Sequence, residues 1–252
     1  MEKLYTITFS PTGISRFAAD KIAESFDTEP ILIDLCREPR DEIQIEQQSV
    51  CIISVPCYGG RVPQTAIERL AHIHGNGATA VLCVTYGNRA FEDALLELAD
   101  CTGKAGFHVE AGCAVAGEHN IMHIYGTGRP DNSDQKEILQ FSAEAAEKIK
   151  SGIRKSPDFP GSRPYKEYHA AKTEILVDEN ICISCGQCAS KCPVNAISND
   201  GLHLDGNACI NCMRCIQICP KKARSISKEF VSALIQKVGK ACETRKKNQF
   251  YL

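Results

Sequence analysis

Five short apolar runs, rich in β-branched residues, punctuate the first half of the chain at 3–9, 30–35, 50–55, 79–85 and 107–115. Continuous runs of this length suit strands buried on both faces, as in a parallel sheet. Between them, apolar positions recur at helical spacing over 15–26, 64–74, 91–99 and 134–150. In the last stretch Ile138, Phe141, Ala145 and Ile149 share a face, and Ser133 is placed to cap it. The order β-α-β-irregular-β-α-β-α-β-α predicts an α/β fold, a right-handed doubly wound parallel sheet of five strands. Ligands of such sheets bind outside the carboxyl ends of the strands. The segments that follow the strands are therefore where chemistry is expected.

The periodicity stops at 151–171, where Pro157, Pro160 and Pro164 block helix and central strand alike and predict an extended connector. Helical spacing returns at 228–242, with Phe230, Val231, Leu234, Ile235 and Val238 on one face. That face is expected to dock on one domain or to bridge both. Arg245, Lys246 and Lys247 then read as a solvated basic tail.

Composition changes the picture at one point. The net charge of -2 carries no nucleic-acid signature, and no apolar run approaches the roughly 20 residues of a membrane span. The opening MEKLYTITFS reads as a strand rather than a signal peptide. The chain has 15 Cys, too many for an ordinary chain of 252 residues, and eight of them fall between Cys182 and Cys219. Without a secretory signal, that density points to metal in a reducing, anaerobic cytoplasm rather than to disulfides.

The eight form an internal repeat. Residues 182–193 read CISCGQCASKCP and 209–220 read CINCMRCIQICP, both of the form C-x2-C-x2-C-x3-C-P. Steps of three wrap a tight loop of thiolates around one iron–sulfur cubane, and the fourth Cys is carried away to the other cluster. One set is then Cys182, Cys185, Cys188 and Cys219; the other is Cys209, Cys212, Cys215 and Cys192. Structural zinc uses separated C-x2-C pairs with a longer spacer, which this spacing opposes. The stretch 173–227 resembles a bacterial two-cluster 4Fe-4S ferredoxin at all eight ligand positions.

In the first half, Ser10-Pro11-Thr12-Gly13-Ile14-Ser15 follows the first strand and opens a helix. Clustered N–H donors, hydroxyls and a glycine at a helix N-terminus suit a phosphate. The third strand ends in Pro56-Cys57-Tyr58-Gly59-Gly60-Arg61 and the fourth in Thr85-Tyr86-Gly87-Asn88. These put two tyrosines and flexible backbone on the same rim, as a flat heteroaromatic ring requires. With these motifs residues 3–150 resemble the flavodoxin family, which implies FMN as the ligand. Ser10, Thr12, Gly13, Ile14 and Ser15 would hold its phosphate. Pro56, Tyr58, Gly59, Gly60, Thr85, Tyr86, Gly87 and Asn88 would flank its ring, Tyr58 or Tyr86 standing in for the absent Trp.

The whole chain resembles the flavodoxin–ferredoxin fusion proteins of anaerobes. That implies an FMN domain at 1–152, a linker at 153–172, a two-cluster 4Fe-4S domain at 173–227, and a C-terminal helix and tail at 228–252. The function implied is an electron carrier relaying single electrons between two 4Fe-4S clusters and FMN, serving redox partner proteins. A homodimer is compatible with this, and neither nucleic acid nor membrane insertion is expected. Two alternatives stand beside it: a flavin-dependent reductase of a small molecule, and a ferredoxin whose flavin-free first domain only docks partners. His119 with His123 is read as loop packing rather than metal binding, Arg129 as an anion partner or surface residue. Cys57 and the scattered Cys36, Cys51, Cys83 and Cys113 are read as small buried hydrophobes.

Overall fold

The computed structural model describes residues 2–39, 41–169 and 172–252; the last two positions of the predicted connector, 170 and 171, lie outside them. Strands β1 (Leu4–Thr8), β2 (Ile31–Asp34), β3 (Val50–Pro56), β4 (Thr79–Tyr86) and β5 (His108–Ala116) alternate with helices α1 (Ile14–Ala23), α2 (Gln64–Leu70), α3 (Ala94–Lys104) and α4 (Asn132–Lys150). The five strands are parallel in the order 2-1-3-4-5, the flavodoxin-like arrangement. Adjacent residues part to opposite faces, as the pleat demands. Ile53 and Leu82 join one core, with Leu70, Leu95 and Leu98. Ile52 and Val81 join the other, with Ala18, Ile22, Ile138 and Phe141. Cys36, Cys51, Cys83 and Cys113 are buried, and burial pushes the Cys51 thiol up to about 12, as expected of inert hydrophobes.

Two local expectations are corrected. The second helix stops at Leu70, and Ile73–His74 instead pairs with Ile43–Gln44 as a small parallel bridge. His72 and His74 both reach the carboxylate of Glu42 at 2.8 Å, which a helix end would not allow. The cap of α4 is Asp131, not Ser133: its carboxylate accepts from the N–H groups of Ser133 and Asp134 in a capping box. The connector has neither helix nor strand among its described residues 153–169, as expected, and it is tied to the α/β half. Asp93 accepts from the N–H groups of Ser162 and Lys166, and Asp100 pairs with Arg163.

Beyond the connector, β6 (Leu176–Val177) pairs antiparallel with β7 (Arg224–Ser225), and two single-turn helices, α5 (Gln187–Ser190) and α6 (Arg214–Gln217), lie between them in sequence. Helix α7 (Lys228–Val238) is capped by Ser227, whose hydroxyl accepts from the Phe230 N–H. Its apolar face packs with Ile121 and Met122 of the first half and with Met213 of the second, so it bridges both, as its pattern predicts.

The largest correction concerns the tail. Residues Gln249–Tyr251 form β8, antiparallel to β5, which makes the sheet six-stranded. Asn248 seats the strand: its Oδ1 accepts from the Ala116 N–H, and its Nδ2 donates to Asp134 (2.9 Å) and Glu137 (2.6 Å). Arg245, though exposed, is held by Asp131 and Asp134, at 2.8 and 3.1 Å, rather than free in solvent. At the centre lies the buried Arg129–Asp134 pair, with a 2.6 Å contact. Burial opposes ionisation of Asp134, but Arg129, the Asp131 N–H and Asn248 together hold its carboxyl below the ordinary 3.8.

Asp134→Ala leaves Arg129 buried without its carboxylate and is expected to cost about 3–5 kcal/mol in urea unfolding at neutral pH. Asp131→Ala, which removes the exposed cap, should cost clearly less. Equal losses would contradict the role of the buried pair. Because the folded carboxyl is depressed, its contribution is complete above about pH 4 and is lost as pH falls through the lower folded value.

Candidate functional site

The two copies of the cysteine repeat fold alike. Ser184 and Asn211, Gly186 and Met213, and Asn195 and Lys222 occupy matching positions, each with positive φ. Cys182, Cys185, Cys188 and Cys219 line one cavity together with Gly201, Pro220 and Arg224. Gly201 is required there, since a Cβ would lie 3.1 Å from the Cys188 sulfur. Cys192 lies within electrostatic reach of Cys209, Cys212 and Cys215. The fourth cysteine of the second run, Cys219, thus shares a cavity with the first triplet. Sulfurs at matching points accept backbone N–H groups: Cys192 from Ala196 and Cys219 from Ala223, both at 3.3 Å. Burial works against the Cys219 thiolate, but the N–H groups of residues 221–224 outweigh it and bring its pKa down. Burial pushes the Cys212 thiol up to about 12. Soft thiolate donors, four of them around one cavity, with backbone N–H groups donating to sulfur, fit 4Fe-4S ligation.

At the strand ends, the N–H groups of Thr12, Gly13, Ile14 and Ser15 meet no acceptor among the described residues. Gly13 adopts φ 91°, and a Cβ there would meet nothing within 4 Å. The loop is therefore an open cradle of donors at the start of α1, which fits a phosphate. Thr12, Ile14, Pro56, Tyr58, Thr85, Tyr86 and Gly87 line one narrow cleft of about 30 Å³. Through Thr12, Ile14, Glu118 and Asn120 it adjoins a crevice of about 640 Å³. That volume lies in the usual range of about 300–1,000 Å³ for cofactor sites. Its far wall is Met213, Ile216 and Gln217 from the second cysteine run and Val231 of α7. Gln217 Nε2 donates to the Thr12 carbonyl at 3.0 Å, and Tyr58, whose pKa is raised mainly by burial, feels the charge of Cys212. Donors, apolar walls and room together fit FMN.

Several expected contacts are spent elsewhere. The Ser15 and Thr85 hydroxyls bond each other at 2.7 Å, and Ser10 Oγ accepts from the Arg16 N–H at 2.9 Å. Gly59 and Gly60 do not line the cleft; they form the Tyr58–Arg61 turn, where a Cβ on Gly60 would strike Glu92. Asn88 is corrected most. Its Nδ2 donates to the carbonyls of Cys242 (2.7 Å) and Thr244 (3.2 Å), and its Oδ1 accepts from Arg129 and the Lys246 N–H, each at 3.0 Å. The Tyr86 hydroxyl donates to Lys247 O at 3.0 Å. Asn88 and Arg129 therefore hold the C-terminal segment, and neither side chain is free for a ring or an anion.

His119 closes its own loop, as expected: Nδ1 accepts from the N–H groups of Ile121 and Met122 at 3.1 Å, and burial lowers the ring to about 4. His123 pairs with Glu118 at 2.8 Å. Cys57 is a protonated thiol, pushed up to about 12 by burial. Sequence reasoning missed Met213, Ile216 and Gln217 as crevice walls. They sit between ligand cysteines, where helical spacing carries no message about which distant loop they meet.

Residues 175–198 and 202–225 each match the family model of the 4Fe-4S binding domain, and all eight repeat cysteines fall within them. A polyferredoxin-like protein of Methanocaldococcus jannaschii is 60% identical over 35 residues, 13% of this chain and 22% of its own length. The chain thus spans about a fifth of that relative. The α/β half is similar to a flavodoxin from the domain Archaea (15% identity, 59% of this chain and 99% of that one, TM-score 0.40). It is also similar to a Fusobacterium nucleatum flavodoxin bound to flavin mononucleotide (17% identity, 59% and 99%, TM-score 0.42). The fold assignment itself rests on the strand order. Among the described residues no helix is long and apolar enough to cross a membrane. A flavodoxin-like fold and a pair of 4Fe-4S binding domains are joined in one chain.

Two substitutions test these placements. Cys192→Ser is expected to remove the spectroscopic signal of the cluster assigned to Cys209, Cys212 and Cys215 and to leave the other; loss of only the Cys182 signal would reverse the pairing. Gly13→Val puts a β-branched residue at φ 91°, facing the donor cradle. It should weaken FMN binding at least about tenfold, roughly 1.4 kcal/mol, with iron content unchanged. Equal FMN affinity by fluorescence titration would remove the phosphate assignment.

Proposed function

We propose that this protein is an electron-transfer flavo-iron–sulfur protein that relays single electrons between two 4Fe-4S clusters and an FMN and serves redox partner proteins. The observation that carries this reading is the shared crevice, in which Thr12 and Ile14 of the phosphate loop face Met213 and Ile216 of the second cysteine run. When bound, the clusters supply one-electron exchange and FMN one- or two-electron exchange.

The chain's own residues divide the work. Cys182, Cys185, Cys188 and Cys219 would hold one cluster, and Cys209, Cys212, Cys215 and Cys192 the other. The N–H groups of residues 12–15 would hold the flavin phosphate, with Pro56, Tyr58, Thr85, Tyr86 and Gly87 beside the ring. Ile14, Ile121, Ile124, Met213 and Ile216 keep the crevice apolar. The Gln217–Thr12 bond, helix α7 and the C-terminal strap fix the two halves, so a diffusional encounter is replaced by permanent proximity. The domain limits that go with this reading are 1–152, 153–172, 173–227 and 228–252.

A second reading, a reductase of a small molecule, is favoured by the width of the same crevice and by Glu118 and His123 at its edge. Anaerobic stopped-flow reduction separates the two. The full FMN-loaded chain is compared with Cys185→Ser/Cys212→Ser, which lacks intact cysteine sets. Truncation before the ferredoxin half is unsuitable, because it would also remove β8. With a ferredoxin-type donor the variant should be about 100-fold slower or more, the scale of lost effective concentration, while a small chemical reductant should act equally on both. Equal rates with the protein donor would overturn the relay and favour the reductase.

A further inference from the structure

One charged side chain is walled in among the cysteines. Arg224, on β7, is 4% exposed. It lines the cavity of Cys182, Cys185, Cys188 and Cys219, and it also lines the crevice shared by Thr12 and Met213. On the side of the second set, Arg224 shares the crevice with Met213 and Ile216, which lie on either side of Cys215 in the chain. Arg224 Nη2 donates to the Gly201 carbonyl, and Gly201 packs against the Cys188 sulfur. Nη1 is buried without a hydrogen-bond partner, and no carboxylate pairs with Arg224 among the described residues. The other charged residues at the first cavity, Asp200 and Lys221, are exposed and opposite in sign.

A buried guanidinium without an anion is strongly unfavourable. The negative charge that would sit beside Arg224 is that of the two cysteine sets once they hold their clusters. We propose that Arg224 is a shared counter-cation for the two four-cysteine sets, and that it raises the reduction potential of the cluster each would hold. The inference rests on the assignment of those sets to 4Fe-4S clusters. Reduction adds one electron to a centre that is already anionic, with no bond made or broken. A nearby fixed cation favours the more negative state, and net charge and hydrogen bonds to sulfur are among the levers that set such potentials. Arg224 does not exchange electrons; it positions Gly201 and sets the field.

The test is a spectroscopically monitored redox titration of the anaerobically reconstituted full chain with dithionite, together with iron analysis. Arg224→Gln retains a donor for the Gly201 carbonyl and loses the charge; Arg224→Lys retains the charge. In Arg224→Gln the one-electron reduction equilibrium of both clusters should shift at least about tenfold toward the oxidised form, about 59 mV lower for one electron. Arg224→Lys should keep both close to wild type. Uptake of iron by the Lys variant but not by the Gln variant would also uphold the counter-cation. Full iron content with unchanged potentials in Arg224→Gln would overturn it, as would a shift of one cluster alone, or loss of iron in both variants. A wild-type chain without 4Fe-4S signals would instead sink the cluster assignment itself.

Discussion

The buried pair of Arg129 and Asp134 is the constraint to which the strand-end rim is tied. Asp134 lies in the first turn of α4, and Arg129 in the loop between β5 and α4. Their contact therefore fixes the last helix of the α/β half against the carboxyl edge of its sheet. Desolvating such a pair is costly unless its remaining hydrogen-bonding capacity is used. Here it is used by Asn88, Asn248, the Lys246 carbonyl and Arg245. The chain's last residues are thereby stitched to the rim. The segment that begins beside the cysteine domains ends as a strand of the other half's sheet.

That stitching changes what the rim can do. Side chains that would otherwise point at a ring, Asn88 above all, are saturated by backbone groups of the strap. The widest space then lies not between Tyr58 and Tyr86 but beside them, in the crevice faced by Met213 and Ile216. Met213 holds φ 62°, a conformation costing roughly 1–2 kcal/mol for a residue with a Cβ. Its counterpart in the first repeat is Gly186, which takes that conformation freely. The second copy thus carries a side chain at this position, and that side chain forms part of the crevice wall.

Much was legible in the sequence because it is local. Strand runs, helical spacing, the positions of the strand-end loops and the eight-cysteine repeat depend on neighbours within a few residues, and these are where the structure has them. For the crossed assignment of Cys192 and Cys219 the repeat supplies the expectation, and the cavity that Cys219 shares with Cys182, Cys185 and Cys188 supports it.

What tertiary structure alone decided concerns partners far apart in the chain. Arg245, Lys246 and Lys247 have the composition of a solvated tail, and no local rule pairs them with Asp131, Asn88 and Tyr86, more than a hundred residues away. The sixth strand is equally invisible: Gln249–Tyr251 is too short to show periodicity, and it is a strand only because the edge of β5 offers unpaired backbone groups. The roles of Asn88, Arg129 and Arg224 follow the same logic. A polar side chain's work is set by which unsatisfied groups burial brings to it, and burial is a property of the assembled fold rather than of the sequence around the residue.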